Sequence, residues 1–166
     1  MNKDLSAQDF ELLKGELVIA LGEAVWAFSL VEKQSYFYIK AFSELPMLQI
    51  LAGQSFGARV KAIGYLVQAG SCEDYHRNKI KKLFEDALKL AKRRNVLVHS
   101  PWSIWIDPRS TELRDHVQDA KQLENVNLES VRSFATEARE LAELLALALA
   151  EVRKWNYPEN EPKVLR

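Results

Sequence analysis

The sequence predicts an all-α protein: a helical bundle of four to five helices, with a short β-hairpin or loop inserted between the third and the last long helix. Three observations carry this. Long stretches repeat apolar residues at i, i+3, i+4 and i+7, the spacing of one helix face. Helix breakers are scarce, with six Gly and five Pro in 166 residues. Only one short stretch, Trp102 to Asp107, alternates with the period of a strand. With 48% hydrophobic and 28% charged residues the composition is globular, and the length suits one domain over 1–166.

Taken in order, Ser6 with Asp9 marks a helix start. A long first helix, in one piece or two, runs to about Leu45 and is stopped by Pro46. Gly15 and Gly22 weaken its first half and are candidates for a bend. Its stripe reads Leu17, Leu21, Val25, Phe28, Glu32, Ser35 and Ile39. Glu32 breaks that stripe: either the buried face is rotated and Glu32 lies at its boundary, or the carboxylate points inward and pairs with a cation, Arg94 being the obvious one.

Pro46 to Ser55 is expected to be a connector. Ser55 then caps a second, shorter helix whose stripe is Phe56, Val60, Ile63 and Val67, with Gly70 at its C-terminal end. A third helix spans about Glu73 to His99. Asp107-Pro108 turns the strand, and Leu113 to Ala120 either pairs back as a hairpin or stays loop. Asn127 caps a last helix from Leu128 to about Trp155, with a stripe of Val131, Phe134, Ala138, Leu141, Leu145, Val152 and Trp155. Between Leu141 and Ala150 it is apolar nearly all round, which predicts burial on more than one side or a dimer interface. The tail over 156–166, with Pro158 and Pro162, is expected to be extended and flexible.

Several function classes fall away. Net charge is zero, so nucleic-acid binding would need a local basic patch. The lone Cys72 fits a reducing cytoplasm and offers no Cys-based zinc site. His76, His99 and His116 are too dispersed for a metal site evident from sequence. There is no Gly-rich phosphate loop and no His-Glu-x-x-His. Acidic residues occupy the N-terminus where a signal peptide would be apolar, and no apolar run is long enough to span a membrane. No metal, cofactor or membrane partner is expected, and a cytoplasmic location is.

What remains is the end of the third helix. From Arg77 to Arg94 it carries eight Lys or Arg against Glu85 and Asp86. Its inward stripe of Ile80, Leu83, Phe84, Ala87 and Ala91, continued on the same face, reaches Arg94, Asn95 and Val98. Polar groups there are costly unless paired, and His99 lies close by on the helix wheel. A guanidinium can hold a phosphate through two hydrogen bonds and stabilise charge developing on it. An imidazole exchanges protons near neutral pH, and a carboxamide can orient it. Together Arg94, Asn95 and His99 suit metal-free cleavage of RNA, with the ribose 2′-hydroxyl attacking the adjacent phosphate. The alternative is structural: His99 caps the helix C-terminus and Arg94 makes an ion pair. Trp102 and Trp105 either stack on bases or pack on the bundle.

The run Arg94-Asn95-Val96-Leu97-Val98-His99 resembles the Arg-x4-6-His motif of HEPN domains (higher eukaryotes and prokaryotes nucleotide-binding), in which a polar residue follows the Arg near the end of a helix. The resemblance implies a metal-independent, homodimeric endoribonuclease in phage defence or a toxin–antitoxin system, with RNA or nucleotide as ligand and an antitoxin protein as partner. Arg94, Asn95 and His99 would be catalytic, and Lys89, Lys92 and Arg93 would steer RNA. Pro101 stands where one toxin subgroup has Tyr. The rival expectations are a non-catalytic HEPN-like module that binds nucleotide or RNA, or a helical dimerisation adaptor.

Overall fold

A computed structural model of the chain describes residues 7–106, 113–117 and 127–156. It is an all-α bundle with a single two-stranded hairpin among the described residues. The helices are α1 (Ala7–Phe42), α2 (Leu45–Ala52), α3 (Phe56–Ala69), α4 (Asp74–His99) and α5 (Leu128–Asn156). Between α4 and α5 lie β1 (Trp102–Ile106) and β2 (Leu113–Val117). The strands pair antiparallel, Trp102 opposite Val117 and Ile106 opposite Leu113, so the hairpin forms and not a loop. The expected cap Ser6, the Asp107-Pro108 turn and the tail beyond Asn156 lie outside the described residues.

The chain divides into two compact units, the first made of Met1–Phe28 with Leu90–Ala138, the second of Ser29–Lys89 with Arg139–Arg166. In the first, Phe28 of α1 meets Phe134 of α5, ring centroids 6.3 Å apart. Leu17, Ala20, Ala24, Ala27, Leu90, Leu97, Val131, Ala135 and Ala138 complete its core. The buried face of α1 is thus largely alanine, which lets neighbouring helices approach closely. This corrects the expected stripe: Leu21 is only half-buried and Val25 is exposed.

In the second unit Tyr38 is wholly buried. Its ring stands edge-on to Phe84, 4.9 Å between centroids, and its hydroxyl donates to the Leu145 carbonyl at 2.9 Å. One side chain thereby ties α1, α4 and α5. Burial, reinforced by the carboxylate of Glu151 and by Cys72, pushes the phenol far above its ordinary range. Phe56, Val60, Ile63 and Val67 of α3 are buried as their spacing requires, each worth about 1.5–3 kcal/mol on full burial.

The helix ends follow local chemistry. Pro46 does not simply stop α1. It sits in the first turn of α2, where a missing N–H costs nothing, so the expected connector is itself a helix. Ser55 Oγ accepts from the Ala58 N–H at the start of α3. Gly70 ends α3 with its N–H on the Leu66 carbonyl, in extended rather than left-handed backbone. A Cβ there would stand 3.2 Å from both that carbonyl oxygen and the Phe42 ring. Asn127 caps α5: its Oδ1 accepts from the Ser130 N–H at 2.9 Å, and Ser130 Oγ accepts from the Asn127 N–H at 2.8 Å. On α5 the stripe from Val131 to Val152 is buried, and Leu144 and Leu147 are left exposed.

Candidate functional site

The last turns of α4 are held in the first unit by a set of specific contacts. Ser100 N–H donates to the Val96 carbonyl at 3.1 Å, and the Trp102 indole N–H donates to the Leu97 carbonyl at 3.0 Å. Two of the four carbonyls that a helix C-terminus leaves unmet are thereby satisfied. The half-buried Trp102 therefore has a structural task, with Pro101 turning the chain into β1.

The inward face here runs through Ala87, Leu90 and Leu97, each buried. Arg94 falls between them and is half-buried, whereas Asn95, Val98 and His99 are exposed. The expectation that Asn95 and Val98 continue the inward stripe is thus corrected: the face is rotated by one position, and Arg94 alone of the three polar residues reaches it. Arg94 lies 5.9 Å from the centroid of the buried Phe28 ring and donates through Nη1 to Asn95 Oδ1 at 3.2 Å. Its Nε is buried and meets no hydrogen-bond partner among the described residues. A buried donor left unmet costs about 1–3 kcal/mol. His99 occupies the final turn of α4.

The neighbouring cations differ in their commitments. Lys89, in the second unit, is 2.7 Å from Asp86. Arg93 grips Glu137 of α5 with both terminal nitrogens and lies 5.4 Å from the Phe134 ring centroid. The Arg93 hydrogen bonds, with a second from Ser133, hold the Glu137 carboxyl below its ordinary value against the opposing effect of partial burial. Lys92 is exposed and has no ion pair among the described residues. Farther back on α4, in the second unit, Arg77 pairs with Asp74 at 2.6 Å and Lys79 with Glu151 at 2.7 Å. Half of the eight basic residues are thus neutralised locally, and the basic run is weaker as a phosphate surface than its count suggests.

Glu32 has a partner, but it is Arg59, at 3.7 Å, and not Arg94. Arg59 is the polar residue that helix periodicity did not reveal. It is buried on α3, donates Nε to Ser35 Oγ at 3.0 Å and Nη1 to the Gln54 carbonyl at 2.6 Å, and stacks 4.5 Å from the Tyr36 centroid. Ser35 Oγ in turn donates to the Glu32 carbonyl at 2.6 Å. The break at Glu32 and Ser35 in the α1 stripe was a signal for such a cation, one helix away from where it was sought. Among the described residues every contact of Arg59 is internal, which makes it a clamp between α3 and α1. Among the described residues no group of three His, Cys, Asp or Glu could hold a metal ion, and no helix is long and apolar enough to cross a membrane.

No family model, curated protein or solved structure matches this chain.

Proposed function

We propose that the protein is a HEPN-like, metal-independent endoribonuclease that works as a homodimer, in phage defence or opposite an antitoxin. The observation that carries this reading is Arg94. It is a half-buried guanidinium with an unmet Nε, oriented by Asn95, with His99 exposed one turn on at the helix end. A structure keeps an unmet buried donor at a cost; this Nε is closed to solvent, so an RNA phosphate would meet it once the Arg94 side chain turns outward.

In the proposed step the ribose 2′-oxygen bonds to the adjacent phosphorus and the bond to the 5′-oxygen breaks, leaving a 2′,3′-cyclic phosphate. His99 takes the proton of the 2′-hydroxyl, and the imidazolium so formed returns it to the departing 5′-oxygen. Arg94 neutralises charge on the phosphorane, and Asn95 fixes the guanidinium plane. Of the cations expected to steer RNA, Lys92 keeps that role, whereas Arg93 and Lys89 are already engaged. That engagement favours a second reading, a module that binds a nucleotide or short RNA without cutting it.

The test is RNA cleavage by wild type and His99→Ala, each with and without EDTA. The expected result is cutting that survives EDTA and falls by about 10²- to 10⁴-fold in His99→Ala. Cutting that stops with EDTA, or persists in the variant, overturns the mechanism. Binding without cutting by wild type selects the second reading.

A further inference from the structure

Between α3 and α4 the second unit holds an open cavity of about 140 Å³. Its floor is apolar. Ile63 and Val67 of α3 meet Ile80 and Phe84 of α4 there, all buried, with Val60 and Leu88 at one end. Its mouth is polar: Gly64 and Gln68 flank it on α3, and Arg77, Lys81 and Glu85 follow one another at one-turn spacing on α4. A cavity of about 150 Å³ lined by such apolar side chains takes up a molecule the size of benzene. Gly64 stands in the middle of α3, where glycine destabilises a helix relative to alanine. A Cβ there would meet nothing within 4 Å, so no neighbour among the described residues requires a glycine. Its missing side chain leaves the groove open.

The mouth is not uniform in charge. Arg77 is fixed near the link between the helices, its Nη1 donating to Asp74 Oδ1 at 2.6 Å and its Nη2 to the Cys72 carbonyl at 2.8 Å. Lys81, one turn on, is exposed and has no ion pair among the described residues. Gln68, also exposed, adds an amide donor at the same end. Glu85, a further turn along, places a negative charge toward the other end.

We propose that this groove binds a medium-chain monocarboxylate, its carboxylate against Lys81 and Gln68 and its acyl chain laid over Gly64 toward Leu88. From Arg77 to Leu88 the groove follows about 16 Å of helix, at about 1.5 Å per residue, a seam that suits a chain better than a ring. Arg77 is already engaged by Asp74 and Cys72, so Lys81 supplies the charge that meets the carboxylate. Glu85 repels a carboxylate and so sets the direction in which the molecule lies. The acyl chain covers the apolar floor, and its removal from water supplies most of the affinity. Arg94, Asn95 and His99 take no part, so the proposal stands or falls apart from the RNA-cleaving reading.

The test is titration of the isotope-labelled full chain with sodium octanoate at low ionic strength, followed through its backbone amide resonances, with octanol as the uncharged probe. Octanoate binds saturably with a Kd below about 1 mM, within reach of a ligand of about ten non-hydrogen atoms, and the amides that shift lie within 60–88. From butanoate to octanoate each added CH₂ tightens binding by up to about fourfold. Lys81→Met weakens octanoate by about fivefold and leaves octanol unchanged. Glu85→Gln tightens octanoate by about twofold. Gly64→Leu fills the groove and weakens both probes by about tenfold or more. That substitution enters open space and improves helix propensity, and Lys81→Met lies on the surface, so both variants remain folded tests. The proposal is overturned if octanoate shows no saturable binding up to about 10 mM, or if its binding survives Gly64→Leu. It is equally overturned if Lys81→Met leaves the octanoate affinity unchanged, or if the shifted amides lie outside 60–88.

Discussion

Arg93 of α4 holds Glu137 of α5 in a two-pronged grip, Nη2 to Oε1 at 3.0 Å, with its guanidinium over the Phe134 ring. A residue that looks like an RNA-steering cation on the helix wheel thus fastens two helices of the same unit. The pair is partly solvated, the side chains being 46% and 43% exposed, so its worth lies in the surface range of about 0.2–1 kcal/mol.

Acid should weaken this link. The Glu137 carboxyl is held below its ordinary value of 4.5 by Arg93. A carboxyl depressed on folding stabilises the fold above its unfolded pKa and loses that contribution as pH falls through the lower, folded value. Wild type should therefore be more stable than Glu137→Gln at pH 7, with the gap closing below about pH 4. Urea unfolding midpoints at pH 7 and pH 3 measure it. A gap that is the same at both values removes the ion pair as its cause.

Arg93 and Lys92 should separate in RNA binding. Lys92→Glu is expected to weaken binding and flatten the salt dependence, because each lost phosphate contact removes a counterion-release contribution. Arg93→Ala should act mainly on stability, through Glu137 and Phe134. Filter binding at several salt concentrations, beside unfolding curves, distinguishes the two. Unchanged affinity and slope in Lys92→Glu would make this part of α4 a plain solvated face.

The Arg59 clamp should be among the more sensitive polar positions in the second unit. Arg59→Met keeps much of the bulk but strips the donors from Ser35 Oγ and the Gln54 carbonyl. Losing charged hydrogen bonds in a buried setting is expected to cost about 2–4 kcal/mol. Ser35→Ala should cost about 1 kcal/mol, and the double variant less than the sum, since the two share a bond. Denaturation of the four proteins in that cycle is the check, and strict additivity would rule out the shared bond.

These positions show what the sequence could and could not disclose. The four long helices and the caps at Ser55 and Asn127 were legible, because each depends on local spacing or on one capping side chain; α2 was read as a connector, and the hairpin was one of two readings open for Leu113 to Ala120. The α5 stripe was legible because its large residues are the buried ones. The α1 face was misjudged because large residues point outward at Val25 and Ile19, while Ala20, Ala24 and Ala27 do the packing. Alanine spacing gives little contrast on a helix wheel. The partner of Glu32 depends on the placement of α3, which no local pattern encodes. Arg94, Asn95 and His99 stand out in the sequence as polar residues near one helix end, but the rotation of that helix, which leaves Arg94 half-buried and exposes Asn95 and His99, follows from tertiary packing.

Arg94 offers the sharpest distinction between a structural and a functional residue. Its Nε is a buried donor without a partner among the described residues, a cost of about 1–3 kcal/mol. Against that stand its bond to Asn95 and its contact with Phe28, the latter worth about 0.5–1 kcal/mol. Arg94→Met keeps the apolar stem and removes both sides of this balance. Its unfolding free energy should thus lie within about 1 kcal/mol of wild type, or above it. RNA cleavage should nonetheless be lost, because the guanidinium stabilises charge that develops only in the transition state. Arg94→Lys should restore little, since an ammonium cannot make the two-pronged contact with a phosphate. Denaturation curves and a cleavage assay on the same preparations decide the matter. A marked loss of stability in Arg94→Met with cleavage intact would make Arg94 a structural arginine, and the phosphate role would have to be abandoned.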